Sequence, residues 1–386
     1  MKIALVSPYD WCIDGGVKSH IAHLAAHFRE WGHDVTIFAP ASDEEKVAEE
    51  VTVMGRPRSV RVSGSVARIT FAWKSPEVKE ALADGKFDVV HLHEPLMPLL
   101  PYHFLRYSTS ATVGTFHAAK DGGNRFYGYT TRLTRRWFRK LDGKIAVSPA
   151  AVALVSRYFA GYYNIIPNGI DFEHFRQDRE PLPEFMDGRS NILFVGRPEK
   201  RKGLKYLLRA YIRIKELEPN TRLIVVGAGD FSRYERLMEP IGDVVFREYV
   251  PYEELPRYHR SAHVFCAPNT GNESQGYVLL EAMAAGMPVV ASNIEGFAGV
   301  ITDELDGVLV KPKDSDALAA AIIKLLREPV RRAEIAKRGQ AQAAHYSWDN
   351  IARRVLSYYE RLVYEHEQVA AATAARRLPS VVQQLP

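Results

Sequence analysis

At 386 residues the chain is too long for one ordinary core, so two domains are the starting expectation. It is 46% hydrophobic and 25% charged with no low-complexity block, no apolar run approaches the roughly 18 residues of a membrane span, and MKIALVSPYD carries no secretory cleavage pattern, which together predict a cytoplasmic globular protein. Cys12 and Cys266 have no CxxC or Cys/His ligand spacing, so neither a disulfide framework nor a zinc site is supported. The net charge of +5 arises entirely in the first half, which has 21 Lys and Arg against 16 Asp and Glu through Asn168. A basic half suits nucleic acid, anionic lipid or an acidic small substrate, and it also suits plain solvated surface.

In chain order, KIALVSPY is a continuous apolar run of the kind buried on both faces of a parallel sheet; a Gly-Gly turn and a helical pattern from Ser19 to Trp31 follow. Apolar runs recur in DVTIFAP (34–40), FDVVHLH (87–93), SATVGTFH (110–117) and GKIAVS (143–148), mostly with helical stretches between them. After IIPNGIDFEHF (165–175) the scheme restarts with NILFVGR (191–197), RLIVVGAG (222–229), DVVFREYV (243–250), HVFCAP (263–268) and MPVVAS (287–292). Strands alternating with helices imply two doubly wound α/β domains in series, residues 1–168 and 169–346. Residues 347–366 read as a helix capped by Ser347, with Ile351, Val355, Tyr358, Leu362 and Tyr364 at helical spacing, and 367–386 as a fraying tail.

Ligands collect beyond the carboxyl ends of parallel strands, so the loops there carry the candidate chemistry. Gly15 and Gly16 follow the first strand and open a helix, where free backbone N–H groups favour an anion; a tight turn alone also explains them. Arg197 and Lys202 in VGRPEKRKG leave the first strand of the second domain and could clamp a diphosphate, against the plainer explanation of a solvated basic turn. GNESQGYVLLEAMAAG (271–286) holds Glu273 on a strand-end loop and Glu281 about two helical turns further, on the order of 12 Å away at 1.5 Å per residue. That span fits a sugar plus a ribose better than two acids on one bond, which need roughly 5–10 Å. Apolar neighbours around Glu281 argue that its carboxylate has donors to meet. His117 ends a strand. Asp314-Ser315-Asp316 reads as a helix cap rather than a metal motif, and no metal site is expected. Over RFYGYTTRLTRRWFRKL (125–141) a helical wheel gathers Arg125, Arg132, Arg135, Arg136, Arg139 and Lys140 on one side and Phe126, Leu133, Trp137, Phe138 and Leu141 on the other. That pattern fits an anionic membrane surface or an ordinary domain helix with its apolar face in the core.

These stretches together resemble the retaining GT-B glycosyltransferases of family 4 over nearly the whole chain, through DGGVKSH (14–20), GTFH (114–117), IAVS (145–148), IPNGID (166–171), VGRPEKRKG (195–203) and the Glu273/Glu281 pair with EAMAAGMPVVAS (281–292). Within that family the likeness is strongest to phosphatidylinositol mannosyltransferases, through SPYDWCIDGGVKSH, GSVARI (64–69) and HLHEP (91–95). The resemblance implies two Rossmann-like domains facing a central cleft, a C-terminal helix crossing back to the first, and transfer of a hexose, mannose from GDP-mannose, to phosphatidylinositol or a related lipid. It implies a metal-independent enzyme, peripheral on the inner face of the cell membrane, with a phospholipid partner and no nucleic acid. By the same likeness Glu281 receives the ribose, Glu273 the transferred sugar, and Arg197 and Lys202 the diphosphate. Gly15, Gly16, Ser274, Gln275, Gly276, Tyr277 and Val278 line the donor site, His117 borders the reacting centre, and Ser65 and Arg68 meet the acceptor. Three positions depart from the family pattern: Gln275 replaces a frequent Phe, Val62-Ser63 replace a more polar, aromatic pair, and the stretch 75–85 is balanced in charge where the mannosyltransferases are basic. The competing readings are a UDP-sugar enzyme acting on diacylglycerol or a soluble acceptor, and a sugar-nucleotide or phospholipid binding module without turnover.

Overall fold

The computed structural model describes residues 1–62, 65–70, 75–97, 100–120 and 122–377. Its first domain is built on β1 (Lys2–Val6), β2 (Asp34–Ala39), β3 (Val51–Val53), β6 (Val89–His93), β7 (Ala111–Phe116), β8 (Gly143–Ala146) and β9 (Asn164–Ile165), with an antiparallel hairpin of β4 (Pro57–Val62) and β5 (Ser65–Thr70) inserted after β3. The seven-stranded sheet has the order β3-β2-β1-β6-β7-β8-β9, and every pair in it is parallel. The second domain repeats the plan with β10 (Ser190–Val195), β11 (Thr221–Val226), β12 (Val244–Arg247), β13 (Val264–Ala267), β14 (Val289–Ser292) and β15 (Val308–Val310), in the order β12-β11-β10-β13-β14-β15. All residues of β6, β7 and β11 are buried, which explains why these runs carry no hydrophobic alternation: helices cover both faces.

Each sheet reverses its winding direction beside its first strand, at β1/β6 and at β10/β13, and the loops at those two points face one another. The chain passes from one core to the other over a few residues: Ile166 packs with Ile3 and Phe28, whereas Ile170 packs with Phe175 and Phe185. It returns alongside the same segment. The Ile170 N–H donates to the Tyr346 carbonyl at 2.8 Å and the Trp348 N–H to the Ile170 carbonyl at 3.1 Å. Gly169 admits the Trp348 ring there, since a Cβ would stand 2.5 Å from it.

The last helix, Trp348–Arg377, lays Ile351, Val355, Tyr359 and Leu362 into the first-domain core. It outruns the end expected at residue 366 because the following AAATAARR is strongly helix-forming, so the fraying expected from 367 does not begin there; residues 378–386 lie outside the described part. Asp314 caps its helix as expected, its Oδ1 accepting from the Ala317 N–H at 3.0 Å.

Candidate active site at the domain cleft

A cleft of about 620 Å³ separates the two switch points and is lined by Gly15, Gly16, Asp171, Tyr252, Tyr277 and Glu281 among others. Two helices start on it without a side-chain cap. Gly16–Glu30 follows Gly15, and Tyr277–Ala284 follows Gly276, so both present free first-turn N–H groups and the positive ends of their dipoles. Gly276 is required where it stands, at φ +84 with a would-be Cβ 2.4 Å from the Phe297 ring. The Tyr277 hydroxyl crosses the cleft and donates to the Gly16 carbonyl at 3.3 Å.

Glu281 lies at the cleft floor, part-open to it. Its dense apolar surroundings push the carboxyl up to about 7, with Lys202 pulling the other way. Glu273 sits instead in a second pocket of about 240 Å³, which Lys120 and Arg157 of the first domain help to line. Lys202 Nζ (2.8 Å), Arg201 Nη1 (3.1 Å) and Asn269 Nδ2 (2.9 Å) all donate to Glu273 Oε2. The β10 loop can approach this closely because Gly203, at φ +73, packs its backbone on Pro268, where any Cβ would stand 1.8 Å from the carbonyl oxygen. Arg197 is placed differently. Its side chain is 62% exposed and pairs with Glu199 at 3.0 Å, and Glu199 also holds Arg201 at 2.8 Å. Arg201 is thus the guanidinium on Glu273, a contact hidden in a run of four basic residues.

Ser274 Oγ and Ser148 Oγ meet across the cleft at 3.0 Å. Gln275, expected to contact the donor, spends its side chain elsewhere: Oε1 accepts from the Asn168 N–H at 2.7 Å and Nε2 donates to the Asn168 carbonyl at 3.0 Å. A carboxamide can pair with a backbone segment in this two-point manner and a Phe cannot, so the departure from the family pattern becomes a latch on the domain crossing. Val278 lies in the first turn of the Tyr277–Ala284 helix, partly buried against the second-domain core.

His117 follows β7. Its N–H and that of Ala118 donate to Glu94 Oε1 at 2.8 and 3.0 Å, and the Tyr127 hydroxyl donates to Glu94 Oε2 at 3.1 Å. Glu94, of the HLHEP stretch, is buried at φ +50 with its carboxyl raised by burial, and so fixes the loop that aims His117. His93 Nδ1 lies 3.0 Å from His117 Nε2. No metal site was expected from sequence spacing, yet among the described residues His20, His93 and His117 converge closely enough to hold an ion; three separate elements supply them, so no local motif announces the group. Ser65 and Arg68 lie on β5, opposite Val62 and Ser59; their side chains, with Ser63 and Gly64, fall outside what is described.

The basic helix spans Arg125–Phe138 and exposes Arg132, Arg135, Arg136, Arg139 and Lys140. Its core face is Tyr127, Phe138 and the following Leu141; Phe126 and Leu133, placed by the wheel with the core-facing residues, are exposed instead, Leu133 by 75%. The core stripe 127-134-138-141 lies about 100° round the helix from 126-133, which leaves the second stripe in solvent beside the arginines.

This arrangement of two facing doubly wound domains, paired helix N-termini and a charged glutamate network is that of a GT-B glycosyltransferase. A family model described as glycosyl transferases group 1 matches residues 176–342, and one described as glycosyltransferase family 4 matches residues 14–174. The chain is 36% identical over 382 residues to a phosphatidyl-myo-inositol mannosyltransferase of Mycobacterium leprae, covering 97% of this chain and 100% of that one. It is 35% identical to that of Mycolicibacterium smegmatis, covering 98% of each. It therefore belongs to glycosyltransferase family 4, in the phosphatidyl-myo-inositol mannosyltransferase group. Solved folds agree: sucrose-phosphate synthase from Thermosynechococcus elongatus superposes with TM-score 0.75 at 24% identity over 94% of this chain and 99% of that one. Anabaena HepE in complex with UDP superposes with TM-score 0.74 at 18% identity over 94% and 100%. No helix among the described residues is long and apolar enough to cross a membrane.

Proposed function

We propose that the protein transfers mannose from GDP-mannose to phosphatidylinositol or a related anionic lipid, with retention at the anomeric carbon and without a catalytic metal, at the cytosolic membrane face. The observation that carries this reading is the full-length match to relatives bearing that name, joined to a cleft with Glu281 on its floor and a second pocket, also lined from both domains, that holds Glu273. The nucleotide enters the larger cleft with its ribose on Glu281, and the diphosphate lies across the N-termini at Gly16 and Tyr277 within reach of Lys202. The sugar turns into the smaller pocket toward Glu273, which Arg201, Lys202 and Asn269 hold rigid. An acceptor hydroxyl attacks the anomeric carbon on the face from which the diphosphate leaves. The carbon–oxygen bond to the diphosphate breaks, the departing oxygen takes the acceptor proton, and Lys202 balances the growing charge. Closure by Tyr277, Ser274 and Gln275 excludes water.

Arg132, Arg135, Arg136, Arg139 and Lys140, with Tyr129 and Leu133 exposed beside them by 79% and 75%, give the first domain a surface that joins anionic headgroups and seats two apolar side chains at the lipid boundary. Vesicle sedimentation checks it: binding to anionic but not neutral vesicles, weakened by Leu133→Asp. Thermal shift tests the donor. GDP and GDP-mannose should raise the melting temperature more than UDP or ADP compounds, and Glu281→Ala should lose most of that rise. Preference for UDP would move the protein to the UDP-sugar reading, and no response to any nucleotide would overturn the donor site.

A further inference from the structure

Behind the cleft, His20 of the helix Gly16–Glu30, His93 at the end of β6 and His117 just after β7 form a triangle. One ligand nitrogen from each lies within 4.8 Å of the other two, and the three ring centroids stand 5.3, 5.0 and 5.3 Å apart. Three imidazoles around a tetrahedral zinc, with Zn–N of about 2.0–2.1 Å, have ring centres separated by roughly 5 Å. The polar atoms here are also short of partners. His93 Nδ1 and His117 Nε2 pair at 3.0 Å and the Asn168 side chain leans on His20 and His117, but His20 Nδ1, His93 Nε2 and Asn168 Oδ1 are buried without a well-formed hydrogen bond. Three such atoms in one buried cluster are costly unless something bridges them. Imidazole nitrogens with one amide oxygen suit zinc-class ions and not magnesium or calcium.

We propose that His20, His93 and His117 bind one divalent transition-metal ion of the zinc class, with Asn168 Oδ1 or water in the fourth position, and that the ion withdraws His117 from the reacting centre and inhibits transfer. The site is formed mainly by first-domain elements, with Asn168 at the domain crossing and no donor-side residue from the second domain. The ion's effect on transfer rests on the glycosyl-transfer reading; the binding does not.

Cobalt titration of chelator-treated protein tests the binding without any sugar nucleotide. One equivalent should give visible ligand-field bands, displaced by zinc and untouched by magnesium. His20→Asn and His93→Asn should each abolish the bands while keeping the thermal shift with GDP, which shows that they fold; His103→Asn, at a histidine away from the cluster, should keep them. Absence of bands in the wild type would mean that water alone fills the cluster, and their persistence in the His20→Asn/His93→Asn double variant would mean that the ion binds elsewhere; either would overturn the proposal. Stoichiometric zinc should then lower transfer at least tenfold, reversibly with chelator, and transfer unchanged by bound zinc would overturn the inhibitory half. Failure of GDP-mannose as donor would show in the nucleotide screen and leave the cobalt spectrum as an independent result.

Discussion

On the second-domain wall of the cleft the functional groups come from two loops leaving adjacent strands, residues 197–203 after β10 and 269–281 after β13, and they neutralise one another: Glu273 alone takes Arg201, Lys202 and Asn269. Behind the first-domain side of the cleft, three separate elements bring together His20, His93 and His117, a buried cluster of imidazoles braced by Glu94 and by the last helix. A charged, preorganised wall suits a fixed ligand such as a nucleotide diphosphate sugar. The imidazole cluster lies behind the pockets instead, with His20 Nδ1 and His93 Nε2 left without a hydrogen bond.

Removing a group from the charged wall should have the largest effect. Glu273→Ala deletes the anchor of two cations, and we expect kcat to fall on the order of 10²–10³-fold with donor KM changed by less than about threefold. Steady-state kinetics with GDP-mannose and phosphatidylinositol vesicles measures the split; donor binding by the wild type without any turnover would favour a binding module over an enzyme. Next comes the latch between the walls. Gln275→Ala leaves the buried N–H and carbonyl of Asn168 unpaired, so thermal or urea unfolding should show a loss of about 2–4 kcal/mol.

Glu281 separates binding from stability through pH. Its folded carboxyl titrates near 7 against 4.5 in the unfolded chain, so the fold favours the protonated acid; the stability this confers is full below 4.5 and lost as pH rises through about 7. Ribose hydroxyls prefer the ionised form. GDP affinity of the wild type should therefore rise as pH passes 7, while Glu281→Gln should bind about tenfold more weakly with no such rise and, ligand-free at pH 8, melt above the wild type. Calorimetry and melting curves over pH 5–9 read both.

The same contrast explains what the sequence disclosed. The doubly wound domains follow from apolar runs alternating with helical stretches. Glu273, Glu281 and Lys202 stood out because contiguous loops carry them to strand ends. The contact of Arg201 with Glu273 was hidden because register within a basic turn depends on Gly203 packing against Pro268, a contact between loops 65 residues apart. His20, His93 and Asn168 left no local trace, since only the closed sheet brings them together. The wheel misplaced Leu133 because it sorts residues by polarity, whereas the core selected Tyr127, Phe138 and Leu141 by position.

The smallest effect tests whether the first-domain wall depends on its backing. The Tyr359 hydroxyl, from the last helix, hydrogen-bonds His91 Nδ1; His91 Nε2 pairs with Thr115 Oγ1 at 2.6 Å, and the His91 ring lies 4.3 Å from that of His93. The helix that crosses back from the second domain thereby fixes the ring behind the histidine triangle. Tyr359→Phe keeps the packing and removes one hydrogen bond, so stability should fall by only about 1 kcal/mol in urea unfolding. If the brace also orders the triangle, cobalt affinity should drop severalfold while GDP binding on the charged wall stays as it was. Equal losses on both walls would mean that the helix serves the whole cleft, and that the two walls are less independent than their construction implies.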